Sequence, residues 1–257
     1  MKTSVDVVIP IFNEEEDLSL KINDLKDFLA KFNNRWDWNI SIFDNGSVDG
    51  SEKIGLELES NSLGKIRYTR MELRGRGRAL SQAWTSSDAK IVCYMDLDLS
   101  TDLIHFEALI SAIDENRCDI AIGSRLIKGS QVLRRTSFRS VLSKGYNFLI
   151  KLMFSPGISD AQCGFKAMHG SLAKKTVPMI KDTGFFWDTE LLLISSAAGF
   201  KILEIPVLWK DDPESRVRII NTVITDLRGL LRMRLGGMQK AARKIRIKTG
   251  KTNEWLG

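Results

Sequence analysis

The sequence predicts a doubly wound α/β domain on a mostly parallel sheet. Between Ser4 and Ser124, apolar β-branched runs alternate with stretches of helical period. The runs are nearly continuous in apolar residues, as strands buried on both faces must be. Each run also ends in a polar or glycine-rich segment, and open α/β sheets bind ligands outside the carboxyl ends of their strands.

The first strand is "SVDVVIPI", ending in "PIFNEEE", and the helix over "EEEDLSLKINDLKDFLAKF" follows it. The second strand, "WNISIFD", runs into "DNGSVDGS", a segment suited to an Asx-type turn and a helix cap before "GSEKIGLELES". The third, "GKIRYTR", ends in "RGRGRAL", whose glycines allow a tight loop before the helix "GRALSQAWTSS". The fourth, "AKIVCYMD", ends in "DLDLSTD". In extended backbone Asp96 and Asp98 would share one face, and like charges so placed call for a cation between them or for full solvation. The helix "LIHFEALISAID" and the strand "CDIAIGS", ending in "GSR", complete the alternation.

Beyond residue 125 the pattern loosens. "SFRSVLSKGYNFLIKLMF" has a helical period, "AQCGFKAMHG" reads as a short strand and turn, "WDTELLLISSAAGF" as a helix and "KILEIPVLW" as a strand. After "DDPES", the residues Ile220, Val223, Ile224, Leu227, Leu230, Leu231 and Leu235 recur at helical spacing with arginines interleaved. This predicts an amphipathic helix over 216–235 that either packs on the domain or lies on a membrane. Gly236 and Gly237 are expected to end it, leaving 236–257 as a flexible basic tail behind a domain over 1–215.

Charge is distributed unevenly. From Asp226 to Gly257 nine basic residues face two acidic ones, a net +7, which leaves the other 225 residues at −1. The basic character therefore belongs to the C-terminal segment and points to an anionic surface. A near-neutral body and little aromatic interleaving in that segment argue against a nucleic-acid partner. The cysteines, Cys93, Cys118 and Cys163, are odd in number and unpaired in spacing, which predicts neither a disulfide framework nor a zinc site and suits a reducing cytosol. "MKTSVDVVIP" lacks the apolar core of a signal peptide, and "LLLISSAAGF" is too short to span a bilayer.

The motifs "VVIPIFNEEEDL", "DNGSVDGS", "GRGRAL" and "MDLDLSTD" together resemble the inverting family 2 glycosyltransferases of the GT-A (nucleotide-diphospho-sugar transferase) fold. "GSRLIKGS", "SDAQCGFKAM", "FWDTELL" and "EIPVLW" are most similar to the dolichyl-phosphate glucosyltransferases within it, with mannosyl relatives next. The resemblance implies a peripheral enzyme at the cytoplasmic face of a membrane, held by its basic C-terminal segment. It would move a hexose, glucose from UDP-glucose foremost, onto polyprenyl or dolichyl phosphate to give a β-linked product. Mannosyl transfer from GDP-mannose and transfer to a glycan hydroxyl are the alternatives. Ser100 stands where some mannosyl enzymes carry a glutamine metal ligand, which weighs against mannose.

Residue by residue, the resemblance implies that Asp98 binds Mg²⁺ or Mn²⁺ and that Asp96 faces the ribose and the metal. Pro10, Phe12, Asn13, Glu14, Asp44, Gly75 and Gly77 would line the nucleotide. Arg125, Arg139 and Arg216 would cradle the acceptor phosphate. Asp188 and Glu190 match an acidic helix start, with Asp188 the base to suspect if the acceptor were a hydroxyl.

Overall fold

The computed structural model describes residues 2–133, 137–210 and 219–250, with the side chains of 137–140 and 219–222 left out. Seven strands form the main sheet: β1 (Thr3–Ile11), β2 (Trp36–Asp44), β3 (Ile66–Arg70), β4 (Ile91–Met95), β5 (Ile120–Ser124), β7 (Phe165–His169) and β8 (Ile202–Pro206). Their order is β3-β2-β1-β4-β7-β5-β8. A small parallel pair, β6 (Gln131–Leu133) and β9 (Leu208–Lys210), stands beside it. The register aligns Ile11, Asp44 and Arg70 in one row, so the carboxyl ends of the first three strands make a common rim.

Strands β1, β4 and β5 are buried along almost their whole length, which explains their unbroken apolar sequences. On one face of the sheet pack α1 (Leu18–Ala30), α2 (Ser51–Ser60) and α4 (Phe106–Asp114). The other face is covered by α3 (Arg76–Ser86), α5 (Ser137–Phe154), α6 (Gly170–Thr176) and α7 (Trp187–Ala197), around Trp84, Tyr94 and Trp187. These three rings pack edge to face or tilted, with centroids 5.5 to 6.1 Å apart.

The parallel alternation breaks once. β7 enters between β4 and β5 and runs antiparallel to both, setting Lys166 beside Tyr94 and beside Ile122. Its first residues, rather than its last, therefore reach the rim. β4 ends at Met95, and the chain turns through Leu97 and Asp98, with Leu99 at φ +52°. The shared strand face expected for Asp96 and Asp98 is thus replaced by a turn, closed by the Leu99 N–H to the Asp96 carbonyl at 3.2 Å.

The C-terminal helices also differ from expectation. Within the described residues α8 spans Ile219–Arg232, and a kink with Gly236 at φ +103° leads into α9 (Met238–Thr249). α8 turns Asp226, Gly229 and Leu230 inward, as does Met233 just past its end; a Cβ at Gly229 would stand 2.5 Å from the Phe186 ring. Most of its predicted apolar stripe, Val223, Ile224, Leu227 and Leu231, faces outward. The start of the predicted span, 216–218, lies outside the described residues. The expected flexible tail is a helix as far as Thr249, because Ala242 and Ile245 are fully buried among the residues of the α7 face. The basic residues around them obscure that short stripe in the sequence.

Candidate active site at the strand rim

The first two loops of the rim hold each other. Asn13, at φ +55°, accepts the Val48 N–H on its Oδ1 at 2.9 Å and donates its own N–H to Ser47 Oγ at 2.9 Å. The Glu14 N–H donates to Ser51 Oγ at 2.8 Å, and Glu15 Oε2 accepts the Gly50 N–H at 2.7 Å. Asp44 is fully buried: Oδ1 accepts the Ser47 N–H (2.8 Å) and hydroxyl (2.6 Å), and Oδ2 accepts the Tyr68 hydroxyl at 2.5 Å. Asp44 therefore builds the turn that "DNGSVDGS" predicts. Pro10 is buried within β1, while Phe12 is partly exposed with the Arg74 guanidinium 4.2 Å from its ring centre.

The centre of the site is a chain of alternating charges that joins residues distant in sequence. Asp96 Oδ1 accepts from Arg76 Nη2 at 2.7 Å and from Nε at 3.2 Å. Nη1 of the same guanidinium donates to Asp188 Oδ2 at 2.7 Å. Asp188 Oδ1 accepts from Lys166 Nζ at 2.8 Å and from the Tyr94 hydroxyl. Lys166 is fully buried and also donates to the Cys163 carbonyl at 2.6 Å and to the Tyr94 oxygen at 3.2 Å. Two carboxylates and two cations alternate, so their formal charges cancel.

Burial alone would raise the pKa of Asp188, but the charges of Lys166 and Arg76 outweigh it and hold the carboxyl below its ordinary range. Burial, followed by the Asp188 charge, pushes the Tyr94 hydroxyl up. Asp188 is therefore an ionised, three-donor anchor for Arg76. Signals for this chain were present: Lys166 is a lone cation within the apolar strand "FKAM", and Arg76 sits between the two glycines of "RGRGRAL".

Those glycines allow a close approach within the protein itself. A Cβ at Gly75, which has φ +146°, would lie 2.5 Å from the Thr183 carbonyl oxygen; one at Gly77 would lie 2.6 Å from Trp187 Cβ. They let the N-terminus of α3 rest on the 183–187 segment, which carries Arg76 up to Asp188. Gly164 does the same for Asp96, since a Cβ there would fall 1.8 Å from Asp96 Oδ2. Asp98 is exposed, with Oδ1 accepting the Ser100 N–H at 2.9 Å.

Of the three arginines expected at an acceptor phosphate, only the Arg125 side chain lies within the description. It is almost buried, with Nε and Nη2 on the two oxygens of Asp160 at 2.6 and 2.8 Å and its guanidinium 4.9 Å from the centre of the Trp209 ring. This fork is spent on Asp160 rather than offered to a ligand. The Arg139 side chain and the whole of Arg216 lie outside the described residues. Glu190 forms a bidentate pair with Arg232, both contacts at 2.7 Å, and so fastens α8 to α7.

The sequence profile described as "Glycosyl transferase family 2" matches residues 6–177. Glycosyltransferase AglD of Haloferax volcanii is 30% identical over 221 residues, covering 86% of this chain and 35% of that protein. The chain thus spans about a third of AglD's length. The dolichyl-phosphate beta-glucosyltransferase of Saccharomyces cerevisiae is 28% identical over 234 residues, 84% of this chain and 69% of that protein. Among solved structures, glucosyl-3-phosphoglycerate synthase of Mycobacterium tuberculosis, in complex with Mn²⁺, uridine diphosphate and glucosyl-3-phosphoglycerate, superposes with a TM-score of 0.68 at 13% identity, over 91% of this chain and 80% of that one. That likeness is one of fold.

Proposed function

Because the chain belongs to glycosyl transferase family 2, we propose that it transfers glucose from UDP-glucose to the phosphate of a polyprenyl or dolichyl phosphate with inversion. The product is a β-linked lipid-phosphate glucose. Relatives bearing the name dolichyl-phosphate beta-glucosyltransferase, from three organisms, align with between 83% and 90% of the chain, which supports glucose as the sugar and dolichyl phosphate as the acceptor. The observation that carries the reading is the saturation of Asp188 by Lys166, Arg76 and Tyr94. A carboxylate so held is a poor proton acceptor. An acceptor that arrives deprotonated needs none, because a phosphate monoester is largely ionised near neutral pH.

The residues present fit a divalent cation, Mg²⁺ or Mn²⁺. Asp96 and Asp98 offer hard carboxylate oxygens at the carboxyl end of β4, and Asp96 has only Oδ1 committed to Arg76. Among the described residues no group of three or more His, Cys, Asp or Glu side chains is placed to hold a metal, and Asp96 and Asp98 are the two ligands proposed. When bound, the cation neutralises charge on the departing diphosphate.

The acceptor phosphate oxygen attacks the anomeric carbon as the bond to UDP breaks. Arg76, held between Asp96 and Asp188 at the N-terminus of α3, fixes the position of the Asp96 carboxylate at the rim, where the leaving group would be met. Work on a lipid substrate sets the protein at a membrane surface, at its cytoplasmic face, with the basic C-terminal segment toward anionic lipid. No helix among the described residues is long and apolar enough to cross a bilayer. The test is a panel assay of purified protein with polyprenyl phosphate against UDP-glucose, GDP-mannose and other nucleotide sugars. UDP-glucose is expected to be consumed only with the lipid phosphate present, and preference for another donor would overturn the choice of glucose.

A further inference from the structure

We propose that the outward faces of α5 and α8 together form the surface that enters the bilayer, an inference that rests on the lipid-acceptor reading but assigns the docking face. On α5, Val141, Phe148 and Leu152 recur at helical spacing and are 67–72% exposed. On α8, Val223, Ile224, Leu227 and Leu231 form a second outward stripe, continued by Leu235 past the end of the helix. Both helices pack on α7: the Tyr146 hydroxyl of α5 meets Thr189 Oγ1 at 3.0 Å, and it lies near enough to Asp226 of α8 to feel that charge. α8 is also pinned by Arg232 to Glu190, so both stripes are presented by anchored helices. Exposed large apolar side chains gathered on neighbouring helices mark an interaction site.

Charge identifies the occupant. Across α5, α8 and α9 the only acidic residue is Asp226, and it is buried. Lys144 and Lys151 are exposed on α5, Arg228 on α8, and Lys240, Arg243, Lys244 and Lys248 on α9. Apolar stripes on helices whose exposed charges, among the described residues, are all cationic suit a layer with an apolar interior and anionic head groups. A second copy of the chain would bring these like-charged rims together.

Two double variants test the proposal, Phe148→Ser with Leu152→Ser and Leu227→Ser with Leu231→Ser, along with the combined quadruple variant. All four sites are exposed, so the fold is expected to persist, checked by circular dichroism and the thermal midpoint. Co-sedimentation uses phosphatidylcholine vesicles with and without phosphatidylglycerol, at low salt and at about 0.5 M NaCl, where charge is screened within a few ångströms. The intact protein should bind the anionic vesicles and stay partly bound at high salt. Each double variant should lower the high-salt partition by about tenfold or more, and the quadruple variant should abolish it. Equal sedimentation of the intact and quadruple proteins would overturn the proposal, as would an intact protein that ignores vesicles. A concentration-dependent dimer, seen by analytical ultracentrifugation and removed by the same substitutions, would assign the face to a second copy instead. Turnover with a short, water-soluble prenyl phosphate separates the two levels: the quadruple variant should keep it, whereas its absence in the intact protein would refute the acceptor while leaving the vesicle result to decide the surface.

Discussion

Lys166 donates to Asp188 at 2.8 Å with neither side chain in more than slight contact with solvent. The pair exists because β7 runs against its neighbours, which lays Lys166 beside Tyr94 and under the first turn of α7. Removing one member of a buried pair leaves the other's charge uncompensated.

Lys166→Met is therefore expected to cost about 3–5 kcal/mol of stability in urea unfolding. The double variant with Asp188→Asn should recover a substantial part of that loss. If the double variant is no more stable than Lys166→Met, the two charges are not coupled.

The acceptor, rather than an enzyme base, should set the rise of rate with pH. In the kcat/KM profile for prenyl phosphate, one limb should rise through about pH 6, where a phosphate monoester loses its second proton. Asp188→Asn should lower the whole curve by loosening Arg76 and leave that limb in place. A limb that disappears in Asp188→Asn would make Asp188 the base.

Gly164→Ala places a methyl group where Asp96 Oδ2 now lies, at 1.8 Å. Asp96 must move, so calorimetric binding of UDP in the presence of Mn²⁺ should weaken by about tenfold or more, the scale of one displaced charged contact. Binding of UDP in chelator should weaken less, because only the ribose contact expected of Asp96 is then lost. Unchanged Mn²⁺-dependent binding would remove Asp96 from the metal and nucleotide site.

Asp226 gives the fold a pH dependence of known sign. Burial, reinforced by the charges of Asp182 and Asp188, lifts its pKa to about 7, and Gln162 Nε2 donates to its Oδ2 at 2.7 Å. The folded protein holds this proton more tightly than the unfolded chain, for which the ordinary value is 3.8. Its contribution is full below that value and is lost as pH rises toward about 7, at roughly 1.4 kcal/mol per unit. Asp226→Asn should remove this loss and gain on the wild type as pH rises through that window. Parallel stability profiles for the two proteins would show that Asp226 ionises freely in the fold.

The strands and first helices were legible because double burial writes unbroken apolar runs, as in "IVCYM", and because each rim segment carries turn chemistry, as in "DNGS". Strand direction left no such mark: "FKAM" reads alike parallel or antiparallel, so the placement of Lys166 next to Tyr94 was invisible. Arg125 and Asp188 stood out as polar residues in motifs, but pattern does not say whether a charge faces a ligand or an internal partner such as Asp160. For α8, helical spacing located the apolar stripe, and the inward side was decided by Gly229 and Arg232, whose partners Phe186 and Glu190 are distant in sequence.

The proposed reaction is inverting transfer of glucose to a phosphate oxygen at the Asp96–Arg76–Asp188 site. The most direct measurement is the proton NMR spectrum of the product formed from UDP-glucose and prenyl phosphate, read at the anomeric proton. A β-glucosyl phosphate is expected. An α-linked product, or glucose found on any atom other than a prenyl phosphate oxygen, would contradict it.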